Sequence, residues 1–385
     1  MFRQMPVILA LLITSIIFFG HLIPRSIAEL LFGLSLSIKS LIIFLLPVVI
    51  FGLLYKAAIT LAKDASKIIL LILSAVVLSN FITTTMSQAV GMWVYTFDMN
   101  LFLPDEQNAL AGKVLFELPS IIPNQVAMFS AIIAGILSAK IAPIYTKKIA
   151  ITLTEIVEKL LRLVTAIIPI FVTGFVVKLQ YDGVIMQIAK NYTVIFAIIA
   201  TMQAVYITLL YLLLEKLNIS KTLLSIKNML PAILSAFSTM SSAASMPMTL
   251  IGTEKNAKNK DLVHTVVPAT VNIHLIGDCI AIPCFAFAIL KNYGLAEPDM
   301  YSYLIFTCYF VLAKFSVAAI PGGGIIVMLP ILEQYLGFDS AMLSLITALY
   351  ILFDPVITSA NVFGNGAFAK MIDVILYKGG SKKSN

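Results

Sequence analysis

Apolar runs long enough to cross a membrane recur along most of the chain, separated by short polar stretches rich in lysine. A helix rising about 1.5 Å per residue needs about 20 apolar residues to span a hydrocarbon core of about 30 Å. By that measure the pattern predicts spans at residues 5–22, 33–55, 68–95, 124–142, 149–177, 189–214, 262–291 and 342–376. Two further apolar stretches, 223–250 and 301–338, are interrupted. The first contains SAFSTMSSAASMPMTL, five serines and two threonines without a charge, and the second contains AAIPGGGIIVMLP.

Lysine placement decides how the interrupted stretches run. Clusters fall at Lys56, Lys63 and Lys67; at Lys140, Lys147 and Lys148; at Lys216, Lys221 and Lys227; at Lys255, Lys258 and Lys260; and at Lys378, Lys382 and Lys383. The 98–123 and 292–300 connections between them are acidic on balance, with Asp98, Asp105, Glu106 and Glu117 against Lys113, and Glu297 with Asp299. Cytoplasmic loops carry the excess of Lys and Arg. The alternation holds along the chain only if each interrupted stretch enters and leaves on the same side. Residues 223–250 are then expected as a re-entrant hairpin from the cytoplasm and 301–338 as one from outside, with both termini cytoplasmic.

A hairpin tip inside a membrane leaves backbone N–H and C=O groups unpaired, which is tolerable only where the tip lines a watery or ligand-filled cavity. The serines can satisfy the broken backbone, and Pro247 is expected to interrupt the helix at the first tip. Pro321, Gly322, Gly323 and Gly324 allow a sharp turn at the second and let a ligand approach bare backbone. Two interrupted hairpins entering from opposite faces form the inverted-repeat pattern of a transporter. The expected fold is an all-α polytopic membrane protein of eight transmembrane helices plus two re-entrant helical hairpins.

Composition agrees, at 60% hydrophobic and 12% charged residues, where a soluble domain has roughly half and a quarter. The net charge of +7 belongs to orienting loops and implies no nucleic-acid partner. The run Pro6 to Gly20 offers no small-x-small cleavage site and is expected to stay as an anchor. Cys279, Cys284 and Cys308 lack metal-ligand spacing and are expected as buried thiols.

Candidate chemistry concentrates in two spans. In LFDPVITSANVFGNGAFAK, Asp354, Thr358, Asn361 and Asn365 fall on one helix face. A carboxylate at the bilayer centre costs about 2.5–3.5 kcal/mol on insertion scales, so a functional or paired role is the default; otherwise Asp354 caps a helix that begins at Pro355. In VPATVNIHLIGDCIAIP, Thr270 and Asn272 offer oxygens, and Pro268, Gly277 and Pro283 weaken the helix. Unwound carbonyls with amide and hydroxyl oxygens suit a hard monovalent cation. His274 and Asp278, four apart, form either a proton-carrying pair or a packing pair. PGGG lacks the Lys-Ser/Thr of a phosphate loop, and no G-x-S-x-G elbow accompanies the serines, so no enzyme is expected.

SAFSTMSSAASMP, ATVNIH, AAIPGGGIIV and DPVITSANVFGNG, in that order, make the chain resemble the dicarboxylate/amino acid:cation symporter family, which includes the glutamate transporters. The resemblance implies a homotrimer with an elevator-type movement. Its scaffold would cover approximately residues 1–62 and 124–177, and its transport unit residues 68–95 and 189–376. It also implies that the tips around Ser241 and Ser242, and around Pro321, Gly322, Gly323 and Gly324, bind a substrate carboxylate. Asp354 would pair with a substrate ammonium, beside Thr358 and Asn361. Thr270, Asn272, Asn361 and Asn365 would be the Na+ ligands.

Two departures bear on the cargo. The arginine that acidic-substrate members use falls at Ile357, leaving a second carboxylate without a bidentate donor there. The aspartate of the family's motif in the seventh span is replaced by His274, which with Asp278 becomes the proton-coupling candidate. The expected protein is a bacterial-type inner-membrane symporter, embedded in lipid, carrying a small solute with Na+, H+ or both and using no other cofactor. A neutral amino acid is favoured, with a C4-dicarboxylate or acidic amino acid as the alternative. An uncoupled channel on the same scaffold and an intramembrane hydrolase are the rivals from other classes.

Overall fold

The computed structural model describes residues 5–63, 67–97, 110–119, 122–183, 185–317 and 322–380. Within them the chain is helical, with no strand among the described residues. The helices are α1 (Met5–Phe19), α2 (Arg25–Lys63), α3 (Lys67–Val94), α4 (Asn124–Ile141), α5 (Pro143–Tyr181), α6 (Ile185–Leu214), α7 (Ile219–Thr239), α8 (Ser242–Asn256), α9 (Lys260–Thr270), α10 (Ile276–Asn292), α11 (Met300–Lys314), α12 (Gly323–Leu336) and α13 (Ser340–Gly380). Among the described residues, five segments are long and apolar enough to cross a membrane: Arg25–Lys56, Ile69–Val94, Lys148–Tyr181, Ile185–Leu214 and Ser340–Leu376. The stretches expected to span at 5–22 and 124–142 hold shorter apolar helices, Leu11–Leu22 and Val126–Ile141.

Both interrupted stretches are helix pairs. α7 packs against α8 and α11 against α12. At the first tip the break falls at Met240, in the left-handed region at φ 49°, and Ser241, whose hydroxyl caps α8 by accepting from Ala244 N–H at 3.2 Å. This corrects the expected role of Pro247, which lies within α8 beyond the turn. At the second tip Gly322 takes φ 74°, a conformation that only glycine adopts without strain. Asp299 starts α11, its carboxylate accepting from Tyr301 and Ser302 N–H, and Asn218 and Asn259 cap α7 and α9 in the same way.

The expected span at 262–291 is two helices. α9 ends at Thr270, α10 begins at Ile276, and the residues between them turn without helical continuity. By contrast α13 runs unbroken through Pro355, so Asp354 sits in mid-helix and caps nothing. α13 is also the axis of packing: α10, α7, α8, α6 and α9 all lie against it, whereas α2 packs mainly on α4 and α5. Of the cysteines, Cys279 and Cys284 are buried as expected, while Cys308 is exposed on an apolar helix.

Candidate functional site

The polar face of α13 points into the protein, with Asp354, Thr358, Asn361 and Asn365 all buried. Asp354 Oδ1 accepts from Thr358 Oγ1 at 2.8 Å, one helical turn on, and its Oδ2 accepts from the backbone N–H of Gly322 at 3.0 Å. The second hairpin tip is therefore bonded to the carboxylate itself. Among the described residues no ammonium or guanidinium contacts Asp354.

Opposite α13 stands the broken α9–α10 element. Asn80 of α3 clamps it, donating from Nδ2 to Ile273 O at 2.7 Å and accepting at Oδ1 from Leu275 N–H at 3.3 Å. Asn361 caps the first turn of α10: its Oδ1 accepts from Gly277 N–H at 2.8 Å and Asp278 N–H at 3.4 Å. Its Nδ2 donates to Asp278 Oδ1 at 3.0 Å. Gly277 makes this approach possible, because a Cβ there would collide with the Ile357 carbonyl and press on Asn361. An amide oxygen has two lone pairs, so Asn361 has none free for Na+ in this arrangement, contrary to the expectation for that residue.

His274 and Asp278 do not bond to each other. The four-residue spacing would align them only on a continuous helix, and the backbone is unwound between Thr270 and Ile276. His274 turns to α3 and the far end of α13, with Nε2 2.9 Å from Ser79 Oγ, Nδ1 3.3 Å from Asn365 Oδ1 and its ring on Phe368. Asp278 turns the other way. Its Oδ2 accepts from Lys314 Nζ at 2.8 Å, and its Oδ1 from Tyr350 Oη at 3.2 Å.

Between these elements lies a small polar cavity of about 30 Å³, room for a water molecule but not for an amino acid. Its wall includes Ser242 from the first tip, Asn272 from the unwound segment, Gly324 from the second tip, Asp278, Asp354 and Thr358. Asn272 Oδ1 is buried there without a hydrogen-bond partner, a free oxygen in the place where a cation ligand was expected. Other expected residues do not reach the wall. Ser241 is the α8 cap, Thr270 donates back to Val266 O at 2.8 Å, and Asn365 lies deeper beside His274. Gly323 follows Gly322 in the first turn of α12, and Pro321 falls outside the described residues.

Sequence reasoning missed Asn80, Tyr350 and Lys314. For Asn80 a signal existed: Asn80, Thr83, Thr84 and Ser87 recur at helical spacing in an otherwise apolar span, and all are buried. Lys314 gave none, since a lysine ending an apolar helix reads as an interfacial residue.

The profile of the sodium:dicarboxylate symporter family matches residues 5–375, nearly the whole chain. The chain belongs to that family. Sodium:dicarboxylate symporters are secondary transporters and not enzymes, which sets aside the intramembrane hydrolase. The chain is also similar to excitatory amino acid transporter 1 of Mus musculus, at 26% identity over 227 residues, which cover 56% of this chain and 40% of the mouse protein.

Proposed function

We propose that the protein is a cation-coupled symporter that moves a small carboxylate-bearing solute inward, with a neutral amino acid as the favoured cargo. The observation that carries this reading is Asp354: a buried carboxylate on the wall of a small polar cavity, between two broken hairpins, whose contacts are a hydroxyl and a backbone amide. A charge so placed is costly without a cation. A solute ammonium supplies one, and the solute carboxylate then meets Ser242 and the N–H groups of the hairpin tips. Ile357, fully buried one turn before Asn361, offers no charge for a second carboxylate.

Because the cavity holds little more than a water molecule, the solute enters only when a tip withdraws. The second tip is the natural gate, since its Gly322 N–H occupies Asp354 and an arriving ammonium takes over that place. Na+, H+ or both would drive uptake. For Na+, the partnerless oxygen of Asn272 and the carbonyls of the unwound segment have the right chemistry, hard oxygen donors without charge of their own. Eight spans with two re-entrant hairpins, a scaffold of residues 1–62 and 124–177, a mobile unit of 68–95 and 189–376, elevator-type movement, a homotrimer, a bacterial-type inner membrane and cytoplasmic termini complete the proposal. The packing of α2 mainly on α4 and α5 supports the division into two units.

Uptake into proteoliposomes tests it. Radiolabelled neutral amino acids, acidic amino acids and C4-dicarboxylates would be offered under a Na+ gradient, a pH gradient or neither. Gradient-driven accumulation of a neutral amino acid is the expected result. Accumulation of a C4-dicarboxylate, within the dicarboxylate class of the family's name, would keep the mechanism and overturn the cargo, and flux that never runs uphill would make the protein a channel.

A further inference from the structure

The wall of the cavity carries two carboxylates in different circumstances. Asp354 has no cation in contact among the described residues, whereas Asp278 has Lys314, Nζ to Oδ2 at 2.8 Å, with both side chains 2% exposed or less. Lys314 does not line the cavity; it stands behind Asp278. Three features hold the ammonium there. It lies 4.5 Å from the centroid of the Phe310 ring, a cation–π distance. It occupies the last turn of α11, where the helix dipole favours positive charge. And Asp278 is anchored from its other side by Tyr350 and Asn361, so the pair cannot turn away from itself.

We propose that Lys314 is a fixed cation of the transport site, performing for Asp278 what a mobile coupling ion would otherwise have to perform. A cavity that crosses the hydrocarbon region must carry close to zero net charge. His274 adds none as a neutral imidazole, a state that its two neighbours satisfy: Nδ1–H donates to Asn365 Oδ1 while Nε2 accepts from Ser79. Asp278 and Lys314 cancel, leaving the single negative charge of Asp354. A zwitterionic solute leaves that total unchanged, so one monovalent cation per solute brings the loaded cavity to neutrality. Removing the lysine charge uncovers Asp278 and creates a demand for one more cation, in a wall to which Asn272 and Thr358 already contribute oxygen-bearing side chains.

The inference rests on reading this cavity as the transport site, yet its test needs no solute. Thermal unfolding of the purified full chain in detergent would be followed across a wide range of NaCl, with ionic strength held constant by choline chloride. Stability rises with the logarithm of an ion's concentration in proportion to the number of ions bound to the native state alone. Lys314→Met is expected to steepen the Na+ dependence by one bound ion relative to the unmodified chain. Lys314→Arg is expected to leave it unchanged, and Lys314→Met with Asp278→Asn to return it to the original slope.

A Lys314→Met slope equal to that of the unmodified chain overturns the proposal. So does a Lys314→Met chain that fails to fold at every NaCl concentration while the double variant folds, because Na+ then does not replace the lysine. Failed uptake with the expected shift in slope would refute the transport reading alone, and uptake with no shift would refute the fixed cation alone.

Discussion

Gly322 N–H and Asp354 Oδ2 stand 3.0 Å apart, so the tip of the second hairpin is hydrogen-bonded to the carboxylate in the middle of α13. Gate and cargo would therefore compete for one atom. An N–H donor at a tip with φ 74° can leave by a small backbone movement, whereas the acceptor is fixed by a 41-residue helix.

Asp354→Asn keeps an oxygen for Gly322 N–H but removes the negative charge. A charge-assisted hydrogen bond contributes about 1.5–3 kcal/mol, so uptake of a neutral amino acid at low concentration is expected to fall about 10- to 100-fold. Initial rates in proteoliposomes check this, and an unaltered rate would mean that no ammonium binds there.

Gly324→Ala is expected to hold the second tip off the site. A Cβ at this position would overlap Asp278 Oδ2 and Tyr350 Oη, both fixed in the core. Uptake should be lost while the chain remains folded, and Tyr350→Phe added to it should restore part of the activity by removing the hydroxyl. A fully active Gly324→Ala variant would show that the closed contact is dispensable.

Asn80→Ala removes both hydrogen bonds that clamp the unwound segment at Ile273 and Leu275. At about 1 kcal/mol each, the expected loss is about 2 kcal/mol of stability. The Na+ dependence of thermal unfolding should weaken with it, since the clamp fixes the unwound backbone immediately after Asn272. Equal loss of stability at all Na+ concentrations would reduce Asn80 to a packing role.

At the cytoplasmic end proposed here, Lys370 of α13 bonds Glu215, in the turn after α6, and Ser225 of α7. Burial alone would raise the Glu215 pKa, but the hydrogen bonds from Lys370 and Ser225 hold it below the ordinary value of 4.5. A carboxylate depressed on folding contributes stability above its unfolded pKa and loses it as pH falls through the lower folded value. The melting temperature is thus expected to drop below about pH 4.5, and Glu215→Gln should flatten that acid limb. An acid limb unchanged in the variant would place the sensitivity elsewhere.

The polar face of α13 was legible because its residues lie on one continuous helix, where spacing alone sets direction. The same rule misled at His274 and Asp278, which the unwinding turns to opposite neighbours, α3 for one and α11 with α13 for the other. Ser241 and Thr270 were correctly seen as hydroxyls in broken helix, but whether a hydroxyl caps its own chain or faces a ligand depends on a rotamer that no sequence spacing encodes.

Taken alone, the sequence determined what each local stretch must do in a lipid environment: which runs are apolar enough to lie in the membrane and which are broken by glycine and serine. Those properties follow from transfer free energy and backbone hydrogen bonding, both local quantities. Tertiary structure alone decided the pairing of Lys314 with Asp278, the grip of Asn80 on the unwound backbone and the closure of Gly322 onto Asp354. Each joins residues from different helices, and a buried charge or an orphaned amide takes whichever partner packing brings within reach.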